Sequence, residues 1–239
     1  MLIKVGYIAL SVLMVVLILL IGFKAIKATV PDSQKAKQKR QQLIGGLLLW
    51  HLFIFLIGVS GFLADYSLPP RFPIVLILPA FTFTGIFLYR QRDKAWVTSF
   101  PPHWLLFYQS FRILIESLFV VTVAAGWLHA NVTIEGYNYD MIYAYSAPII
   151  GWLLYKNPVK MRKLAITWNY TGLAVISVII FLFITTMFFP QFYGSSKNIM
   201  PLDMAYYPFV VVGGFLMPSA VFMHVLSIIQ LKKLEKDAT

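Results

Sequence analysis

The chain has 239 residues, of which 59% are hydrophobic and 12% charged, with a net charge of +11 and no cysteine. Soluble domains are about 45–50% apolar and about 25% charged, so this composition excludes a large soluble catalytic domain and indicates a membrane protein. The lack of cysteine excludes disulfides, thiolate metal ligands, cysteine nucleophiles and S-palmitoylation.

Long apolar segments, taken in chain order, predict an all-α membrane protein with seven transmembrane helices in one domain. Each segment ends at charged residues, proline or a Gly/Ser/Asn cluster, as expected where helices leave a bilayer. The predicted helices cover residues 2–23, 44–64, 73–89, 104–128, 140–155, 164–189 and 205–230, followed by a short polar tail over 231–239. Because a crossing needs about 20 apolar residues, the short third and fifth segments leave six crossings as an alternative, with one segment re-entrant.

The distribution of lysine and arginine predicts the orientation. With seven crossings, one side carries only Lys4, Arg71 and Lys197, and all other loop and helix-end basic residues share the opposite side. The positive-inside rule makes that basic side cytoplasmic, so the N-terminus lies outside and the C-terminus inside. Most of the positive charge is therefore an orientation signal, and no nucleic-acid partner is expected. The basic run from Lys35 to Arg40 is predicted to be a solvated loop, with contact to anionic lipid headgroups as the alternative.

The fourth predicted helix carries polar residues inside the membrane. Gln109, Arg112 and Glu116 are spaced so that they share one helical face. Ionisable groups at a helix centre cost about 2.5–3.5 kcal/mol on insertion scales, so each needs a partner or a function. Two interpretations stay open: an Arg112–Glu116 ion pair that fixes helix packing, or a site for a proton or an anion.

Three other helices place polar side chains at a similar depth. Counted at about 1.5 Å per residue from the cytoplasmic edge, His51, Asn169 and His224 lie about 7–11 Å deep, close to Arg112. We therefore predict a polar cavity in the cytoplasmic half of the bundle. Its members are His51, Gln109, Arg112, Glu116, Trp168, Asn169 and His224.

No cofactor or metal ion is predicted. His51 and His224 satisfy the depth requirement for a membrane haem, but one histidine pair without a supporting motif is weak evidence. Retinal is excluded because its Schiff base needs a lysine in the last helix. The only lysine between residues 164 and 231 is Lys197, which lies in a loop.

A second polar cluster is predicted at the outer face, before the fifth helix. Asn138 or Asp140 can cap that helix, and together with Glu135 they can instead supply oxygen ligands for a cation or a polar ligand. Arg71 is one of the few outer basic residues. It is the candidate to pair with one of these acids.

The chain resembles an uncharacterised family of bacterial seven-helix inner-membrane proteins from the second helix onward. The matching motifs are Pro69-Pro-Arg71, Phe111-Arg-x-x-x-Glu116, Thr133-x-Glu-Gly-x-Asn-x-Asp140 with Ala147-Pro148, Trp168-Asn169 with Gly172, and Pro218 with His224 and Ser227. His51 lies outside these motifs. The resemblance implies a seven-helix fold in a bacterial inner membrane, and it implies no activity.

These observations favour a non-enzymatic membrane protein that contacts lipid and binds or moves a small polar solute, an ion or a proton through Arg112 and Glu116. Patterns of common hydrolases and nucleotide-binding loops are missing from the sequence. The alternative is a lipid-modifying enzyme that uses Glu135 and Asp140 as acid, base or metal ligands. A structural or sensor subunit is a third possibility.

Overall fold

The computed structural model describes residues 1–236, and this part of the chain is all-α. The helices are α1 (Leu2–Thr29), α2 (Ser33–Val59), α3 (Pro73–Gln91), α4 (His103–Tyr108), α5 (Phe111–Ala124), α6 (Asp140–Lys156), α7 (Arg162–Phe188) and α8 (Val212–Lys236). Both α3 and α8 open with a turn of π-helix. Since α8 continues to Lys236, residues 231–236 of the predicted tail are helical, and residues 237–239 lie outside the described residues.

Within residues 1–236, six segments are long and apolar enough to cross a membrane: α1, α2, α3, α4 with α5, α7 and α8. Apolar side chains on their outer surfaces remain exposed; Leu49 on α2 is 69% exposed and Phe83 on α3 is 61% exposed. Such a large apolar surface is not stable in water and fits a lipid environment. The protein is therefore a multi-pass, all-α membrane protein, whereas the seventh crossing and the orientation stay predictions.

The α6 helix matches the fifth predicted segment and is too short to be one of the six candidate crossings. Its 17 residues extend about 25 Å at 1.5 Å per residue, which is less than the roughly 30 Å of a bilayer core. The loop before α6 fills the part of the bundle that the helix is too short to reach. Val132 and Thr133 in this loop are fully buried, and Asn138 contacts Glu116 in the middle of α5. Residues 127–139, called the inserted loop below, therefore fold back into the bundle before α6 starts.

The basic run Lys35–Arg40 is helical, so the prediction of a loop there is wrong. Residues 30–32 connect α1 to α2, and Asp32 caps α2 by accepting the Lys35 backbone N–H at 2.9 Å. Lys, Gln, Ala and Arg are good helix formers, and an Asp N-cap satisfies an end N–H that would otherwise lack a partner. Helix α2 thus extends beyond its apolar segment.

Helix α8 lies at the centre of the bundle and α2 at its edge. Among the 18 most apolar consecutive residues of each helix, 67% are buried in α8 and 11% in α2. Helix α8 packs against α3, α4 and α7, while α2 packs mainly against α1. The polar side chains in the middle of α8, Ser219, His224, Ser227 and Gln230, are therefore buried inside the protein and away from lipid.

One close contact joins α2 to the segment before α8. Gly58 O accepts the Tyr207 N–H at 3.1 Å, and a Cβ added at Gly58 would lie 2.7 Å from Val210 Cγ2. Gly58→Ala should therefore lower the free energy of unfolding by about 1–3 kcal/mol through overpacking. Thermal unfolding in detergent, followed by circular dichroism, measures this change.

Gly46→Ala is the matched control, because Gly46 lies in the same helix with nothing within 4 Å of the added Cβ. Alanine is the better helix former, so this variant should unfold at the wild-type temperature or above it. Equal unfolding temperatures for the two variants would contradict the proposed packing.

Candidate functional site: a buried polar network

A break between α4 and α5 precedes the candidate site. The backbone N–H groups of Gln109 and Arg112 bond to carbonyls three residues earlier, at 3.0 and 3.1 Å. Tight turns of this kind inside a longer helix often occur at strained or functional positions. The Gln109 side chain crosses to α8 and donates to Ala220 O at 3.0 Å. The turn therefore fixes the start of α5 against the central helix, immediately before Arg112.

Arg112 forms a two-point ion pair with Asp140. Its Nε donates to Asp140 Oδ2 at 3.0 Å, and its Nη2 donates to Oδ1. Both side chains are almost completely buried, and the Tyr143 ring lies 5.1 Å from the guanidinium carbon. Of the two interpretations left open, the Arg112–Glu116 ion pair is therefore wrong. The reason is that the inserted loop brings Asp140 within reach, where it can satisfy two donors of the planar guanidinium at once.

A chain of hydrogen bonds continues from Arg112 through α8 to α7. Arg112 Nη1 lies 3.2 Å from His224 Nε2, and His224 Nδ1 lies 2.8 Å from Asn169 Oδ1. Asn169 Nδ2 donates to Ser227 Oγ at 3.0 Å. Because arginine can only donate, His224 Nε2 must accept, so we assign the histidine proton to Nδ1. The imidazole orientation thus follows from its two partners.

Aromatic rings pack against this chain. Trp168 stacks on Tyr143 with ring centroids 4.8 Å apart and lies 5.3 Å from the His224 ring. A Cβ at Gly172 would lie 2.6 Å from His224 Nε2 and 2.7 Å from the Tyr143 hydroxyl. Glycine at this position lets the backbone of α7 approach both side chains, and this accounts for the Trp-Asn-x-x-Gly spacing.

Glu116 contacts the inserted loop and not Arg112. Its Oε1 accepts from Asn138 Nδ2 at 3.0 Å, and the same nitrogen donates to Val132 O at 3.0 Å. Asn138 Oδ1 accepts the Asp140 backbone N–H at 2.9 Å, so one asparagine connects the two acids. Glu116 Oε2 is buried and has no hydrogen-bond partner among residues 1–236.

A cavity of about 70 Å³ borders these charged groups. Arg112, Glu116 and Asp140 contribute to its wall. The other lining side chains come from α3, α5, α7, α8 and the segment before α8, and nearly all are apolar, including several Ile, Phe and Met residues. The cavity is thus an apolar chamber with ionisable groups on its wall.

The structure joins two clusters that the sequence separates. Asn138 and Asp140 from the predicted outer cluster lie with Arg112 and Glu116 from the predicted cavity. Treating these clusters as separate is therefore wrong, and the inserted loop is the cause. Tyr143 and Ser227 are network members missing from both predicted clusters. Tyr143 could have been found, because it follows Asp140 by three residues and so shares its helical face.

Three predicted site residues lie elsewhere. His51 faces α1 and its own helix, with Nε2 3.2 Å from Ser11 Oγ and Nδ1 2.8 Å from Leu47 O. Glu135 is exposed. The expected pairing of Arg71 with an outer-cluster acid is wrong, because Arg71 pairs with the nearer Asp65 at 2.7 Å.

Asp65 lies in the loop between α2 and α3 and is held as a carboxylate. Hydrogen bonds from Ser67, with a smaller contribution from the charge of Arg71, lower the pKa of Asp65 from its ordinary value.

No group of three or more His, Asp and Glu side chains within residues 1–236 is arranged to hold a metal ion. Comparison with protein-family models, curated proteins and solved structures finds no match to the chain.

Removing the carboxylate of Asp140 tests the importance of the buried ion pair. Asp140→Asn leaves a buried guanidinium without its counter-charge, so we expect a loss of about 3–5 kcal/mol in the free energy of unfolding. The double variant Arg112→Gln/Asp140→Asn should recover part of this loss because no buried charge is left unpaired. Denaturant titration in detergent measures both.

Asp65→Asn is the matched control, because it removes a carboxylate from an ion pair that is partly exposed. Exposed pairs contribute little, so unfolding should remain close to that of the wild type. If Asp140→Asn were no more destabilising than Asp65→Asn, the buried pair would not be essential for stability.

Proposed function

We propose that this protein binds a proton, or the hydrogen-bond donor of a small solute, at Glu116 inside the membrane. The observation that carries the proposal is that Glu116 Oε2 is buried beside the apolar chamber and has no hydrogen-bond partner within residues 1–236. The rest of the network holds this carboxyl group in place. The proposed activity is reversible protonation of this carboxyl, or hydrogen bonding to it, as a step in moving a proton or a small polar solute through the membrane.

The state of Arg112 decides which kind of ligand fits. Its Nε and Nη2 are engaged by Asp140 and its Nη1 by His224. An anion entering the chamber would have to displace a buried carboxylate, which leaves charges unpaired and costs several kcal/mol. The site therefore disfavours an anionic solute, and Arg112 serves as a fixed counter-charge.

Glu116 differs from Arg112, because its hydrogen-bonding capacity is only partly used by the described residues. Asn138 holds one of its oxygens, and the other has no partner among the described residues. An ionised carboxylate against apolar walls is costly unless a cation, a donor or a proton neutralises it. A proton satisfies this requirement without extra volume, and a hydroxyl or ammonium group on a small apolar molecule satisfies it through a hydrogen bond.

Seven crossings with the N-terminus outside, in a bacterial inner membrane, complete the proposal. Two contacts between a helix end and a segment distant in the sequence support the number of crossings. At the end predicted to be outside, Lys4 lies over the Trp127 ring at 5.5 Å. At the end predicted to be cytoplasmic, Gln230 Nε2 donates to Phe100 O at 2.8 Å. Both contacts join segments that the seven-helix topology places on the same side.

The lipid-modifying enzyme is less well supported. It needs Glu135 and Asp140 at one site, but Glu135 is exposed and Asp140 is buried against Arg112. If the role of the network were purely structural, substitution of any member would change the stability of the protein and no other property. The unpartnered oxygen of Glu116 favours binding over that role, because a carboxyl group that only fixed packing would be expected to have both oxygens satisfied.

Glu116→Gln tests the proposal directly. Glutamine keeps the size of the side chain and can still accept from Asn138, so the fold should persist, but the amide cannot exchange a proton. In purified protein, pH-dependent infrared difference spectra should show a carboxyl signal that this variant lacks. In proteoliposomes, proton uptake driven by a pH gradient should fall to the level of protein-free vesicles.

Glu135→Gln is the matched control, since it makes the same substitution at an exposed position. It should keep both the infrared signal and the uptake. The proposal fails if Glu116→Gln retains wild-type uptake and infrared spectra, or if its only effect is a lower unfolding temperature.

A further inference from the structure

A second cavity lies between α1, α2 and α4, and none of the network residues Arg112, Glu116 and Asp140 lines it. It has a volume of about 610 Å³ and is open to the surroundings of the protein. Three basic side chains, Lys24 and Lys27 from α1 and Arg40 from α2, line it together with apolar and aromatic side chains. It is therefore amphiphilic, with cations and apolar surface in one groove.

The positive charges of this groove lack counter-charges. Within residues 1–236, Lys24, Lys27 and Arg40 form no ion pair with a carboxylate. Asp32, the acid nearest in sequence, uses its side chain to cap α2. Lys24 and Lys27 lie three positions apart on α1, so they share a helical face.

Arg40 supplies an independent sign of an anionic ligand. Its guanidinium lies over the Phe23 ring at 5.6 Å. Its Nε is buried and has no hydrogen-bond partner in the described part of the chain. Buried donors are almost always paired, and a guanidinium held by a ring with an unused N–H is suited to an anionic oxygen.

The apolar part of the groove distinguishes a lipid from a free anion. Leu20 is 57% exposed and Phe107 is 39% exposed, and both line the cavity beside the basic residues. Trp104 lies at the start of α4 and also lines it. Tryptophan is typical of the level of lipid headgroups. A free phosphate would leave this apolar surface uncovered, whereas an acyl chain would cover it.

We propose that this groove binds an anionic phospholipid. The headgroup phosphate contacts Arg40, Lys24 and Lys27, and an acyl chain lies along Leu20 and Phe107. Arginine binds phosphate through its planar fork, and the two lysines add point charges. The α1–α2 hairpin is thereby held against α4 by the lipid. This site is separate from Glu116, and neither proposal depends on the other.

Native mass spectrometry in a neutral detergent tests the proposal, because no charged bilayer surface is present. The protein is titrated with phosphatidylglycerol, and with phosphatidylcholine as the zwitterionic comparison. We expect retention of one phosphatidylglycerol per chain and weaker retention of phosphatidylcholine. The variant Lys24→Gln/Lys27→Gln/Arg40→Gln should bind phosphatidylglycerol about a hundredfold more weakly, since each basic residue contributes roughly fivefold.

The control variant Lys35→Gln/Lys37→Gln/Lys39→Gln removes the same charge from exposed positions of α2 that do not line the groove. It should bind phosphatidylglycerol like the wild type. Equal losses in the two triple variants would mean non-specific attraction, and no loss in either would mean that the lipid binds elsewhere. Both outcomes overturn the proposal.

Two further measurements cover the remaining alternatives. Inorganic phosphate in excess should not displace the lipid, and displacement would indicate a site for a free anion. If the triple variant does not fold, the single variants Arg40→Gln and Lys39→Gln replace the triple pair. Arg40→Gln should then weaken binding about fivefold, with Lys39→Gln unchanged, and equal affinities would contradict the proposal.

Discussion

The buried ion pair between Arg112 and Asp140 is the interaction on which the centre of this protein depends. It joins α5 to α6, and through His224 and Asn169 it reaches α8 and α7. Two charges inside a membrane are costly, and only a partner with matched geometry offsets that cost. The pair forms because the loop before α6 folds back into the bundle. The short α6, the buried loop and the four-helix network are therefore consequences of one arrangement.

This arrangement also separates two roles among the ionisable groups. Arg112 and Asp140 neutralise each other, and Asn138 connects this pair to Glu116. Glu116 Oε2 keeps no hydrogen-bond partner in the described part of the chain. A rigid network around one unsatisfied carboxyl oxygen is a suitable setting for reversible binding, since the surroundings need not rearrange when the ligand enters. The basic groove at α1 and α2 is the reverse case, because its cations form no ion pair within residues 1–236 and an amphiphilic anion can supply the missing counter-charge.

Much of the local structure could be predicted from the sequence. Apolar segment length indicates a helical membrane protein, and the helical spacing of Arg112 and Glu116 correctly directs attention to the fourth segment. The shared depth of Asn169, His224 and Arg112 follows from counting residues along straight helices. The partners of Arg112 and Glu116 could not be obtained in this way, because they belong to a loop whose path no periodic pattern describes. His51 shows the same limit, since depth alone does not specify the direction in which a side chain points.

The sequence by itself determined the class of protein, through the strong preference of long apolar segments for lipid and of backbone polar groups for helical hydrogen bonds. It also identified Arg112 and Glu116 as charged residues that are costly to place inside a membrane, but it did not predict the burial of Asp140. Only the tertiary structure decided that Asp140, and not Glu116, neutralises Arg112. The physical reason is that ion pairing depends on distances and angles of about an ångström between atoms far apart in the chain. Helix packing and the inserted loop set those distances.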